Sequence, residues 1–437
     1  MLSYYFDLGL RSLRRNAVLT LLLVTAIAVG IGASMTTLTV FRAMSGDPIP
    51  RKSAQLFVPQ IDSRGPNDSG ARTEDHLPDR LTYIDAMALM KARAAKRQTA
   101  LFGSSISLKP ADPKQKPFRA HVRAAYTDFF PMFQAPFKYG SPWPALDDDN
   151  HSPVVVISRA LNERVFGGGN SVGKTLDLGG DNYIIVGVLN TWEPIPQFYD
   201  ISRTPFAGKD EVFMPFSRAI DKQLTPSGST SCNSEDPAGY AARLASDCIW
   251  GRFWVELPNA ADVATYRNFL NSYSEDQRRN GRFNWPSRTQ LRDVVTWLKY
   301  NHVVPGEVHI LILVSFGFLL VCLLNAMGLM LAKLLGRAGD IGVRRALGAS
   351  RRAIFIQCLI ETGVVGLAGG LFGLLLTLAG LWATRSLLPS DFVAVTHLDA
   401  GDVAIALVLG IASTIVAGLY PTWRATHVQP AWTLKSQ

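Results

Sequence analysis

Apolar residues are concentrated in four blocks of this chain. Ala17 to Phe41 runs without a charge until Arg42, Val308 to Ala332 runs without one until Lys333, Ala353 to Thr384 holds only Glu361, and Val403 to Pro421 holds none. As a helix rising about 1.5 Å per residue, each block can cross a hydrocarbon core of roughly 30 Å. The pattern predicts four transmembrane helices, placed at 17–44, 306–336, 353–385 and 403–423. The first block exceeds the h-region of a cleaved signal peptide and reads as an uncleaved anchor. Ahead of it, Phe6, Leu10 and Leu13 share one helical face, while Asp7, Arg11, Arg14 and Arg15 share another. That predicts an amphipathic helix over 1–16 lying on the inner membrane surface.

Between the first two spans, residues 45–305 carry shorter alternating patterns. Leu81 to Arg97 reads as an amphipathic helix through Ile84, Met87, Leu89 and Met90. Pro117 to Ala125, Pro153 to Ile157, Tyr183 to Leu189 and Glu211 to Pro215 read as strands. Arg252 to Leu257 then precedes a helix from Ala260 to about Arg278, which suggests a second α/β layer. The stretch from about 190 to 250 is dense in Pro, Gly and Ser, as at a boundary or long insertion. The predicted fold class is an α-helical membrane protein with four transmembrane helices and a large α/β extracytoplasmic domain of two lobes between helices 1 and 2.

Charge sets the orientation. Lys333, Arg337, Arg344, Arg345, Arg351 and Arg352 face a single Asp340 after the second span, whereas Arg385 is joined by Asp391, Asp399 and Asp402 after the third. The positive-inside rule makes 337–352 cytoplasmic and 386–402 external, so both termini, including the tail 424–437, are cytoplasmic. The net charge of +9 on 437 residues is explained largely by these arginines, and no nucleic-acid partner is needed.

The segment from Gly339 to Arg352 is a short cationic helix between two spans. Asp340 and Arg344 stand one turn apart and can pair, Ile341 and Leu347 offer apolar contacts, Gly348 stops the helix and Ser350 can cap the next. Two readings are open: a solvated loop whose arginines only orient the chain, or a rigid knob that receives a push from a soluble partner.

Elsewhere the candidate chemistry is sparse. Gly168 to Thr175 satisfies the phosphate-binding loop pattern, but a helix pattern precedes it and a strand pattern follows, the reverse of what such a loop needs. Asp147, Asp148 and Asp149 read as a solvated acidic turn, and no catalytic or zinc spacing is found. Cys232 and Cys248 lie in the external domain, where an oxidising compartment permits a disulfide; Cys322 and Cys358 read as packing residues. Gly366 with Gly370, and Gly369 with Gly373, have the spacing that lets membrane helices approach closely, within one chain or against a second membrane protein. Glu361 is expected near the inner interface or paired with an arginine such as Arg352.

Asp340-Ile341-Gly342-Val343-Arg344-Arg345-Ala346-Leu347-Gly348-Ala349, continued by Ile360-Glu361, resembles the E-I-G-[IV]-R-[RK]-A-[LM]-G-A run of MacB-like and FtsX-like permeases, with Asp340 for the usual Glu. Gly418-Leu419-Tyr420-Pro421 with Arg424-Ala425 and Pro430 resembles that family's closing motif. Phe166-Gly167-Gly168, Val172-Gly173-Lys174 and Val186-Gly187-Val188 resemble runs of the MacB-type periplasmic core domain. The resemblance implies a non-catalytic permease subunit of an ABC transporter in the bacterial inner membrane. It would bind no cofactor itself, ATP-Mg being held by a separate ABC ATPase present in two copies. It implies a second permease, identical or related, and in some systems an adaptor and outer-membrane channel, besides membrane lipid. The family mechanism is mechanotransmission, with Asp340, Ile341, Val343, Arg344, Arg345 and Leu347 as the ATPase-coupling residues. A membrane-anchored signalling or scaffold protein without transport is the alternative.

Overall fold

The computed structural model describes residues 17–63, 77–201, 205–206, 209–232, 237–283, 286, 288–336, 339, 341, 343–344, 347–387 and 400–426. The surface helix expected over 1–16, most of 386–402, most of the tail, and Asp340 and Arg345 lie outside the described residues. The chain divides into two compact units, Gly46–Val303 and the segments flanking it.

The order begins α1 (Ala17–Ser45), β1 (Leu56–Ile61), β2 (Leu81–Thr82), α2 (Tyr83–Ala92), β3 (Arg97–Lys109), β4 (Phe118–Ala125), α3 (Phe129–Met132) and β5 (Phe137–Gly140). It continues through α4 (Ala145–Asp149), β6 (Val154–Ile157), α5 (Arg159–Phe166), β7 (Thr175–Leu178), β8 (Asp181–Leu189), β9 (Val212–Pro215), α6 (Phe216–Asp221) and α7 (Tyr240–Leu244). It closes with β10 (Ile249–Glu256), α8 (Ala260–Arg279), β11 (Thr289–Asp293), α9 (Val294–Tyr300), α10 (Gly306–Leu335), α11 (Arg351–Leu387) and α12 (Ala400–Thr426).

The unit Gly46–Val303 is built on one sheet of order β11-β1-β10-β3-β4-β9-β6-β8-β5, with β2 on β10 and β7 beside β3 and β8. Pairs β4–β9 and β6–β8 are parallel and the other neighbours antiparallel. Side chains alternate between two cores. Ala100 and Phe102 of β3, Val155 of β6, Met214 of β9 and Phe253 of β10 face one, with Leu89 of α2 and Tyr266 and Leu270 of α8. Leu101, Val156, Phe213 and Trp254 face the other, with Phe129 of α3 and Trp297 of α9. Both faces are therefore buried, which is why β6 reads as a continuous apolar run.

Two expectations change here. The helix predicted over Leu81 to Arg97 is shorter. Thr82 caps it, its Oγ1 accepting from the Asp85 N–H at 3.0 Å, and Arg93 at φ 47° closes it, so Arg97 already begins β3. The break expected between two lobes is not a break in the sheet, because β10 lies between β1 and β3.

The Pro-, Gly- and Ser-rich stretch from 190 to 250 is instead pinned to that sheet by buried charge. Arg123 of β4 pairs with Asp200 and with Asp210 (Nε to Oδ2, 2.9 Å). Arg252 of β10 pairs with Asp200 at 3.4 Å and with Asp79 at 2.9 Å. Burial disfavours charge on Arg123, but the carboxylates of Asp210 and Asp200 outweigh it and keep the guanidinium protonated. Cys248, fully buried, is disulfide-bonded to Cys232 and closes the far side of this stretch.

In the other unit α1 is the central helix, with Ile27, Ile31 and Met35 at most 1% exposed. Helices α10 and α11 each pack on α1 and on α12 but not side by side. Ile310, Leu313, Val314 and Val321 of α10 point away from this bundle, as expected of a lipid-facing surface. All four helices are long and apolar enough to cross a membrane.

Candidate coupling site at the ends of helices α10 and α11

The basic segment after α10 forms a short helical turn. The Leu347 N–H donates to Val343 O, and the Ala349 N–H to Arg344 O, both at 3.0 Å. Gly348, at φ +98°, ends the turn in a conformation that side chains strain to adopt. Ser350 Oγ then accepts the Ala353 N–H at 3.2 Å and caps α11. Ile341 packs against the membrane core, whereas Val343 is 53% and Leu347 83% exposed. The Arg344 guanidinium reaches back to Gln357 Oε1 of α11 at 3.0 Å. The Asp340–Arg344 pair anticipated from spacing lies outside the described residues. Among these residues Gln357 was missed by sequence reasoning; only its place two turns into α11 hinted at it.

Deeper in the bundle, Glu361 of α11 pairs with Lys333 Nζ of α10 at 3.0 Å, with 12% and 4% of the side chains exposed. Of the two expectations for Glu361, a place near the inner interface or pairing with an arginine such as Arg352, the second does not hold for Arg352, which stands roughly 13 Å of helix rise away on α11. Lys333, which by charge alone marks the cytoplasmic side, is therefore also a buried ion-pair partner. Its Nζ also lies 3.5 Å from Thr20 Oγ1 of α1. Thr362, next in α11, donates to Cys358 O at 2.8 Å and touches Met330 of α10. A Cβ on Gly418 of α12 would come within 2.5 Å of Thr362, so this glycine of the closing motif packs against α11 beside the pair.

The four glycines of α11 serve two interfaces. A Cβ on Gly369 or Gly373 would strike Ile27 or Ile31 of α1 at 2.7 and 2.9 Å. One on Gly366 would meet Thr414 of α12, and Gly370 faces Gly410. Both spacings thus have partners within this chain. At the other end of α1, Arg42 pairs with Asp402 of α12 at 2.6 Å.

The glycine loop 167–175 uses its backbone internally. The Gly168 N–H donates to Asn162 O, Gly173 to Ile185 O and Lys174 to Ser171 O. Lys174 Nζ rests over the Phe166 ring at 5.4 Å. The loop follows α5 and precedes β7, an order that does not converge N–H groups on a phosphate.

The acidic turn is not simply solvated. Asp148, 4% exposed, accepts from the Thr127 N–H at 2.9 Å and from Trp143 Nε1 at 2.8 Å. Burial pushes its carboxyl up to about 7 against those two hydrogen bonds. It borders an open cleft of 690 Å³ beside Met90, Tyr126 and Asp128.

Against known proteins, the model of the MacB-like periplasmic core domain matches residues 20–272, and that of the FtsX-like permease C-terminal region matches 312–430. The macrolide export ATP-binding/permease protein MacB of Marinobacter nauticus is 22% identical over 98% of this chain and 60% of its own length. That of Pasteurella multocida is 24% identical over 73% of this chain and 43% of its own. The ABC transporter permease YvrN of Bacillus subtilis is 22% identical over 70% of this chain and 68% of its own. The chain thus spans about half the length of the MacB relatives it matches. Among solved structures, the periplasmic region of MacB from Actinobacillus actinomycetemcomitans aligns with a TM-score of 0.38 and 15% identity, over 59% of this chain and 97% of that one. With its core-domain match before the second span and its permease match across the last three, the chain belongs to the MacB/FtsX-like family of ABC transporter permeases.

Proposed function

We propose that this chain is the permease subunit of an ABC exporter, in which a separate ATPase, bound in two copies, drives movement of the extracytoplasmic domain through the membrane helices. The chain sits in the bacterial inner membrane with both termini in the cytoplasm and works with a second permease, identical or related. In some systems of this kind an adaptor and an outer-membrane channel complete the export route. ATP-Mg is held by the ATPase, and the permease supplies no catalytic residue.

One observation carries this reading: a capped helical turn joins α10 and α11 and presents Val343 and Leu347 to solvent beside Arg344. Exposed apolar side chains on a capped, basic turn suit a protein partner better than a solvated loop.

The test is Leu347→Glu in the complex reconstituted with its ATPase. Burying a carboxylate at the centre of an interface should lower permease-stimulated ATP hydrolysis and export at least about tenfold, while the permease still inserts and purifies normally. Unchanged stimulation and export would refute the coupling role.

A further inference from the structure

The two helices joined by the turn are diagonally opposed, each packing on α1 and α12 rather than on the other. Lys333 and Glu361 reach across that diagonal at 3.0 Å, with Thr20 of α1 beside the ammonium. Met330 and Thr362, one turn or less from the pair, touch across the same gap.

An ion pair so buried is costly to desolvate, and apolar residues of similar size would be as stable or more so. Its value lies in register. Apolar packing changes little when a helix rotates or slides by a fraction of a turn, whereas sliding one turn, about 5.4 Å, would break this buried ion pair.

We propose that Lys333 and Glu361 are positioning residues that tether α10 to α11 across the bundle and fix the spacing at the base of the turn, so that a push on the turn moves both helices together. The tether rests on the coupling role proposed above only for its consequence in transport; its effect on the helices is independent of any ATPase.

The experiment therefore has two readouts. Full-length permease in lipid nanodiscs is compared as parent, as the apolar pair Lys333→Met with Glu361→Leu, and as the reversed pair Lys333→Glu with Glu361→Lys. In the permease alone, hydrogen exchange of the last turn of α10 and the first turns of α11 should quicken about tenfold in the apolar pair, although its thermal midpoint is kept or raised. The reversed pair should return exchange toward the parent. With the ATPase present, the apolar pair should lose about tenfold in stimulated hydrolysis. Parent-like exchange in the apolar pair would overturn the tether whatever the ATPase does. Loss of stimulation in the apolar pair beside full activity of Leu347→Glu would keep the tether and sink the docking role of the turn. If the apolar pair does not purify, the reversed pair decides: parent-like exchange supports the tether, and exchange about tenfold faster in a folded protein refutes it.

Discussion

Asp148 illustrates how far one side chain can depart from what its neighbours in sequence suggest. Three consecutive aspartates read as solvated, yet the middle one is enclosed by Trp143 and Thr127. Burial raises its carboxyl from an ordinary 3.8 to about 7. The folded state therefore holds the proton more tightly than the unfolded chain. Its contribution to stability is complete below the unfolded value and is lost as pH rises through about 7. The expected outcome is a thermal midpoint of the full chain that falls between pH 5 and 8 more steeply in the parent than in Asp148→Asn, which cannot titrate. The comparison of slopes is the measurement, since the asparagine also changes the hydrogen bonds; equal slopes would remove Asp148 from the titration.

At the scale of an element, α11 shows that glycines in one helix are not equivalent. Gly366 has Thr414 Oγ1 where a Cβ would stand and the Gly410 carbonyl 3.0 Å away, so a side chain there must push two helices apart. Gly366→Val should destabilise the bundle by about 1–3 kcal/mol, the usual range for overpacking. Gly363, on the same helix, has nothing within 4 Å of its Cβ position. Gly363→Ala should be neutral or gain up to about 1 kcal/mol from helix propensity. Thermal unfolding in detergent separates the two, and a Gly366→Val midpoint equal to the parent's would show that the α11–α12 contact is loose. The strand β3 teaches the opposite lesson about elements. Its thirteen residues, Arg97 to Lys109, run through Gly103, Ser104 and Ser105, which interrupt the apolar pattern at its middle. They form a strand because β10 and β4 supply hydrogen-bonding partners on both edges, which local propensity cannot see.

For the whole molecule, orientation is the property that ties the residues to their function. A cysteine at Leu347, 83% exposed, should react with a membrane-impermeant maleimide in inverted vesicles and not in intact spheroplasts. One at Lys114, exposed in the other unit, should show the reverse. The same side for both would overturn the topology. By itself the sequence determined the four apolar spans, the cap at Ser350 and the stop at Gly348, because hydropathy, hydrogen-bonding side chains and left-handed backbone act over a few neighbouring residues. Only the tertiary structure decided that β10 enters the sheet between β1 and β3, that Gly366 faces α12 while Gly369 faces α1, and that Lys333 meets Glu361. Those outcomes depend on distances between residues remote along the chain, and the energy of a buried charge or a close helix contact is set by those distances, which local pattern does not encode.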